Sequence, residues 1–191
     1  MNNIDLKLLA NEYGLEFETV KSVVIVESRG QGFDKEGNPK VLFEGHWFHK
    51  FTKGKYDKSN PTVSYPKWTS KYYNMNQRNR LIEAAKLDYK AALMSASWGL
   101  GQVMGFNYKL VGYDSVISFS EAMCTSEYLQ AKAMFDYIKN TGLLEPLKRI
   151  NKGLTRNQRI RYWRIFAKKY NGSGYEKNDY HNKLENNYAT T

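Results

Sequence analysis

A single cysteine, Cys124, is all the thiol chemistry that the 191 residues hold. That excludes an internal disulfide and a multi-cysteine metal centre, and it suits a reducing cytosol. Cys124 falls in an expected helix and reads as a small buried apolar group. Long apolar runs are lacking too. None exceeds four residues, as in Val23, Val24, Ile25 and Val26, far short of the ~20 residues that span a bilayer, so no stable membrane insertion is expected. Met1-Asn2-Asn3-Ile4-Asp5 has neither a basic start nor an apolar stretch, so no signal peptide is expected. Histidine is scarce, with only His46, His49 and His181. His46 and His49 stand three apart close to Glu44, but no His-Glu-x-x-His pattern accompanies them, and no metal or cofactor is expected. His46 is expected to hydrogen-bond at the start of a helix, and His181 has no evident partner. Internal repeats, low-complexity segments and linkers are absent as well, which leaves residues 1–191 as one expected domain with no separate binding module.

Acidic residues are outnumbered, 19 against 29 Lys and Arg, for a formal charge of +10. Between 148 and 169 they vanish, while Lys148, Arg149, Lys152, Arg156, Arg159, Arg161, Arg164, Lys168 and Lys169 follow one another. Such a run is either a solvated helix face or a surface for an anionic partner. Nucleic acid, anionic lipid and a bacterial wall all fit the charge. Fifteen tyrosines are compatible with base stacking, but no helix-turn-helix, zinc-finger or single-strand-binding signature appears. The remaining composition, 41% hydrophobic and 25% charged, is that of an ordinary globular domain.

The pattern of elements is mostly helical. Asn3 or Asp5 can cap a first helix that stops at Gly14. A second runs over 16–27, although its run of valines and isoleucine has strand propensity. Next comes a turn-rich stretch, Asp34-Lys35-Glu36-Gly37-Asn38-Pro39, and the strand-like Val41-Leu42-Phe43-Glu44. Together these predict a small β-hairpin or meander early in an otherwise α chain, an α+β fold. A short helix is expected over 45–51, an irregular excursion over 52–75, and a helix over 77–94. Ser118-Phe119-Ser120-Glu121 and Thr155-Arg156-Asn157-Gln158 carry the capping-box pattern. Ile160, Trp163, Phe166, Ala167 and Tyr170 share one face of the helix after the second box, and Tyr180, Leu184 and Tyr188 mark a last helix over 175–188.

Within the second helix, Val20, Val23, Val24 and Glu27 fall at i, i+3, i+4 and i+7, one face. A carboxyl at a core-facing position loses water, so its neutral form is favoured and its pKa rises. A protonated acid near neutral pH is what a glycosidic leaving oxygen requires. The competing reading is a helix-terminal Glu bent out to solvent.

Three pieces, in order, resemble the lysozyme superfamily: Val26-Glu27-Ser28, then Ser97-Trp98-Gly99-Leu100-Gly101-Gln102, then Tyr170-Asn171-Gly172. Goose-type lysozymes and lytic transglycosylases carry similar elements. The chain is most similar to the N-acetylmuramidase family of phage endolysins. The residues that carry this are Val26-Glu27-Ser28-Arg29-Gly30-Gln31-Gly32-Phe33, Pro39-Lys40, and Leu42-Phe43-Glu44-Gly45-His46-Trp47-Phe48. The resemblance spans about 17–188. It implies a lysozyme-like helical domain whose small β element lies beside an active-site cleft. It also implies peptidoglycan glycan strands as substrate, with Glu27 as general acid and Ser28, Ser97, Gln102, Tyr170 and Asn171 as substrate-binding residues. Gln102 offers an amide that both donates and accepts. Ser97 and Asn171 either orient the acid or bind glycan, while Tyr170 bonds the acid or stacks on a ring. Tyr170 and Asn171 also fit a plain helix end. For the second carboxylate, Glu44 matches a motif position, Asp34 is the alternative, and a mechanism without a protein base is the third option. A salt bridge to a nearby Arg or Lys is the competing role for Glu44.

The expected activity is hydrolysis of the β-1,4 bond between N-acetylmuramic acid and N-acetylglucosamine. A lytic transglycosylase is the sister reading, and a non-catalytic nucleic-acid-binding protein the distant one. A phage endolysin of this kind is made in the host cytoplasm and acts on the wall once the membrane is permeabilised. It is expected to be a monomer, drawn to anionic wall polymers or lipopolysaccharide by its charge and not to nucleic acid.

Overall fold

In the computed structural model, the Asn2 side chain accepts from the N–H groups of Ile4 and Asp5, and the Asp5 carboxylate accepts from the Asn2 N–H. This capping box starts α1 (Asn3–Tyr13) one residue before the expected cap, because only the residue outside the helix can turn its side chain onto the first orphan donors. Gly14, at φ +63°, closes the same helix by donating back to Ala10 and Asn11, a left-handed conformation that costs glycine little. Every residue is described except Arg29 and Gly30, and every side chain except theirs and those of Ser28 and Ser173. The expected substrate contact of Ser28 therefore lies outside the described residues. The fold falls into two compact units, residues 1–31 with 134–191, and residues 32–133.

The first unit is helical. Val20, Val23 and Val24 of α2 (Phe17–Ser28) are buried, and the helix packs on α1 and on α10 (Tyr180–Ala189). Tertiary burial thus overrides the strand propensity of its valines. Ser22 adds a hydroxyl bond to the Leu184 carbonyl of α10 at 2.5 Å. Thr155 and Gln158 form the expected capping box of α9 (Arg156–Asn171), whose Trp163, Phe166 and Ala167 are fully buried. A 3-10 turn (Gly172–Tyr175) separates it from α10, so the last helix starts at Tyr180, later than expected. Tyr180, Leu184 and Tyr188 face inward as expected, and Glu185 joins them, wholly buried. Arg159 and the Trp163 indole N–H both bond the Glu185 carboxylate.

The second unit holds a three-stranded antiparallel sheet, β1 (Val41–Phe43), β2 (Ala96–Trp98) and β3 (Val103–Met104), in that order. Val41 pairs with Trp98, Leu42 with Ser97 and Phe43 with Ala96. The early strand forms where expected, but its partner comes from far along the chain. The regular hairpin is the later β2–β3 pair, and the 34–39 turn contributes one isolated bridge, Phe33 to Pro39. Glu44 lies just past β1, as the N-cap of α3 (Gly45–Thr52), and not on the strand itself.

The expected helix over 77–94 is two helices, α4 (Gln77–Leu87) and α5 (Tyr89–Met94). Asp88 breaks it: its backbone is extended and its side chain accepts from the Ala91 N–H, so it ends one helix and caps the next. Likewise α6 (Val116–Thr125) is capped by Ser115, with Ser118 as the box's inner member and not the cap. Cys124 lies in α6 as expected but is exposed, not buried, because the helix turns Val116, Phe119, Ser120 and Met123 inward instead.

The irregular excursion over 52–75 is held from beneath by Arg80, a buried guanidinium on α4. It donates to the carbonyls of Thr62 and Phe43 and to the Tyr65 hydroxyl, and lies over the rings of Phe43, Tyr65 and Tyr72. Gln77 adds donors to the carbonyls of Tyr72 and Tyr73. Two side chains thereby satisfy four backbone acceptors, Thr62, Tyr72, Tyr73 and Met75, of a segment without regular structure. The division between the units falls within the seventh helix, α7 (Glu127–Asn140), and α8 (Leu144–Lys148) completes the first unit. Among the described residues no helix is long and apolar enough to cross a membrane.

Candidate functional site

In the first unit, α2 delivers Glu27 at its penultimate position. Its Oε1 is buried without a hydrogen-bond partner among the described residues. Burial pushes the carboxyl up to about 8, and a side-chain hydrogen bond from Asn171 pulls the other way. The stripe reading holds: the acid keeps its proton at neutral pH because its charged form is poorly solvated. Asn171 is the last residue of α9, and Gly172, at φ +69°, is the cap, so Asn171 keeps its amide for Glu27.

Tyr170 lies one residue before. Its ring stacks on Phe166 at 5.2 Å and meets Tyr137 of α7 edge-on at 6.4 Å. Burial first, and the Glu27 carboxylate second, raise its hydroxyl well above the ordinary tyrosine range. It is a neutral hydroxyl at any physiological pH.

In the second unit, the Tyr73 hydroxyl donates to Glu44 Oε1 at 2.8 Å. It accepts in turn from the Trp68 indole N–H at 3.0 Å. The other oxygen, Glu44 Oε2, is 3.4 Å from His46 Nδ1, yet both atoms are buried with no aligned hydrogen bond. His46 thus departs from its expected role, since its Nδ1 meets a carboxylate without bonding it. Burial lowers the His46 pKa against the opposing pull of Glu44, so the ring is neutral at pH 7. Burial, then the Glu44 bond, raises Tyr73 to about 12 and keeps it a donor. No Lys or Arg among the described residues pairs with Glu44; a phenol and an imidazole surround it instead.

Gly45, between Glu44 and His46, admits no side chain. A Cβ there would fall 2.3 Å from the Tyr65 ring and 2.8 Å from the Val63 carbonyl.

Asp34 has a different task. It is fully exposed and accepts from the N–H groups of Glu36 and Asn38, which build its turn. The Asn38 and Glu36 bonds outweigh its slight desolvation and hold it below the usual aspartate range.

Ser97 and Gln102 come together in the β2–β3 hairpin. Ser97 Oγ donates to Gln102 Oε1 at 2.8 Å, and Gln102 Nε2 donates to the Gly99 carbonyl at 2.7 Å. Gln102 adopts φ +47° and Gly99 φ +65°. The amide expected to meet a sugar thus spends one donor and one acceptor on its own loop. Nε2 also donates to the Lys40 carbonyl at 3.5 Å, so it is Oε1 of the exposed amide that keeps a second site for a ligand. Buried Gln130 braces the loop, accepting from the Leu100 N–H at 2.8 Å and donating to the Met123 carbonyl at 2.7 Å.

His49 is bound to Asp57 at 2.7 Å, and among the described residues no three His, Cys, Asp or Glu side chains gather as a metal site. His181 is buried, its ring edge-on to Tyr175 and its Nδ1 without a hydrogen bond among the described residues. Of the basic run, Lys148 pairs with Glu145, Lys152 with Glu18 and Arg159 with Glu185. Arg149, Arg156, Arg161, Arg164, Lys168 and Lys169 are exposed. Sequence reasoning missed Trp68 and Tyr73. The only signal was an aromatic cluster, Trp68, Tyr72 and Tyr73, in a stretch otherwise rich in turn residues.

Residues 16–191 match the family model described as N-acetylmuramidase. The crystal structure of the Burkholderia AP3 phage endolysin is similar to the whole chain, with a TM-score of 0.87 and 29% sequence identity. The match covers 100% of this chain and 71% of that one. No curated protein matches.

Proposed function

Because the chain belongs to the N-acetylmuramidase family, we propose that Glu27 is the general acid with which it cleaves the β-1,4 bond between N-acetylmuramic acid and N-acetylglucosamine. The chain is a glycoside hydrolase of peptidoglycan, and its likeness to a phage endolysin supports lysis of a bacterial host as its task. One observation carries the assignment of the acid: a carboxyl on an otherwise apolar stripe, held to about 8 by burial. At neutral pH it is protonated, yet its proton is still transferable to the leaving oxygen. As the bond breaks, the Asn171 amide donates to the carboxylate left behind and offsets part of its desolvation. Tyr170, neutral throughout, adds a polar hydroxyl without a competing charge.

Glu44 is the second carboxylate of this reading. Tyr73 fixes one of its oxygens and leaves the other without an aligned bond. Asp34 is a weaker candidate because the turn takes up its Oδ1 with two N–H donors and its Oδ2 with the Asn38 amide. Ser97 and Gln102 bind glycan through the hydrogen-bonding positions that their loop bonds leave free. The exposed cations of 148–169 draw the enzyme to anionic wall polymers or lipopolysaccharide. The enzyme acts as a monomer that reaches the wall from the host cytoplasm after membrane permeabilisation.

Mass spectrometry of digested peptidoglycan tests this, with Glu27→Gln as control. Wild-type protein is expected to release fragments carrying a free reducing N-acetylmuramic acid, and the variant none. Fragments lighter by one water would mark a transglycosylase, and a fully active Glu27→Gln would remove Glu27 from the mechanism.

A further inference from the structure

Trp68 is 61% exposed. A lone exposed apolar side chain is ordinary on a protein surface. This one is not loose. Its indole N–H donates to the Tyr73 hydroxyl at 3.0 Å, and its ring meets the Tyr73 ring at 85° with centroids 6.1 Å apart. The polar edge of the indole is thus tied inward, and the orientation of the ring is set. The support is rigid as well. The Tyr72 and Tyr73 carbonyls take donors from Gln77, and the Tyr72 ring lies 5.3 Å from the buried Arg80 guanidinium. The Tyr73 hydroxyl in turn donates a hydrogen bond to Glu44 Oε1 at 2.8 Å. Two hydrogen bonds therefore join an outward-facing, tethered indole to a part-buried carboxylate.

A flat apolar surface held in fixed relation to a carboxylate suits a ligand with one apolar face and polar edges. A pyranose ring has that form: axial C–H groups on one face and hydroxyl or acetamido groups around the rim. A tethered ring loses little rotamer freedom on contact, so more of the stacking energy appears as affinity. We propose that Trp68 is the stacking platform for one N-acetylhexosamine ring of the glycan, and that Tyr73 is a positioning residue that sets platform and Glu44 together. The inference rests on the reading of this chain as a muramidase.

The test has two arms that fail independently. Calorimetric titration with the N-acetylglucosamine tetramer is run on wild-type protein, Trp68→Ala and Trp68→Phe. Release of reducing ends from soluble, peptide-free glycan strands is run on the same three and on Tyr73→Phe. Trp68→Ala is expected to bind the tetramer about tenfold more weakly or worse, the loss of roughly 1.4 kcal/mol that one stacking contact supplies. Its KM on strands rises in step while kcat changes little, and Trp68→Phe recovers part of both. Tyr73→Phe lowers kcat as well as raising KM, because it releases Glu44 together with the platform. Equal tetramer affinity in wild type and Trp68→Ala, or no tetramer binding by wild type, overturns the platform. Wild type that binds the tetramer through Trp68 but releases no reducing ends supports the platform and sinks the muramidase reading alone.

Discussion

Arg159 grips Glu185 through Nε and Nη2, at 3.1 and 2.7 Å, and the carboxylate so held is wholly buried. The Trp163 N–H supplies a further donor at 3.1 Å. An ion taken out of water is tolerated because each oxygen has a donor. Arg159→Met strands the charge, and a loss of about 3–5 kcal/mol is expected in urea unfolding at pH 7. Replacing both, as Arg159→Met with Glu185→Leu, is expected to recover most of that loss. Trp163 then lacks its acceptor, so recovery is incomplete.

The raised pKa of Glu27 links stability to pH with a definite sign. The folded chain holds this proton up to about 8, while the unfolded chain releases it near 4.5. Between those values the folded state binds more protons, so its stability falls as pH rises through the window. At about 1.4 kcal/mol per unit, the loss reaches a few kcal/mol at most. Glu27→Gln, always neutral, is expected to escape it: equal to wild type near pH 4 and more stable at pH 9. Melting curves across that range check this. Activity follows the same proton, and wild-type turnover is expected to decline above pH 8.

Glu44 and Asp34 are separated by substitution. Glu44→Gln is expected to lower kcat by about 10²-fold or more, with the fold intact by circular dichroism. Asp34→Asn keeps an oxygen for the turn and is expected to stay within about twofold of wild type, as surface changes do. The reverse ranking, measured on purified walls, would hand the second carboxylate's role to Asp34.

Arg161, Arg164 and Lys168 are exposed on α9 at i, i+3 and i+7, one face of that helix. Exchanging all three for Gln is expected to weaken binding to isolated walls about tenfold at low salt and to flatten its salt dependence. Co-sedimentation over a range of ionic strength reads both. An unchanged salt profile would leave this face as a solvated surface only.

Much of this is legible in the sequence alone, and the legible part is local. The Glu27 stripe, the Gly14 stop, the Thr155 capping box and the buried Trp163 face all follow from spacing within two turns of helix. What escaped depends on residues far apart. Nothing near Val41 says that its partner is Trp98, because β-pairing is a non-local choice. The break at Asp88 escaped because a helical pattern continues on both sides and one side chain decides the matter. Cys124 shares its helix face with solvent for a reason held in its neighbours, not in itself. The Trp68–Tyr73–Glu44 chain joins two residues of an excursion with no periodicity to a distant helix N-cap, so only the fold brings it together.

Gln130 presses on two glycines at once. A β-carbon on Gly99 would fall 2.5 Å from its Cδ, and one on Gly32 only 1.9 Å from its Oε1. Three positions scattered along the chain therefore share one small volume. Over evolutionary time they are not free to drift separately: a lineage that shortens the residue at 130 gains room at 32, while one that keeps the glutamine must keep both glycines bare.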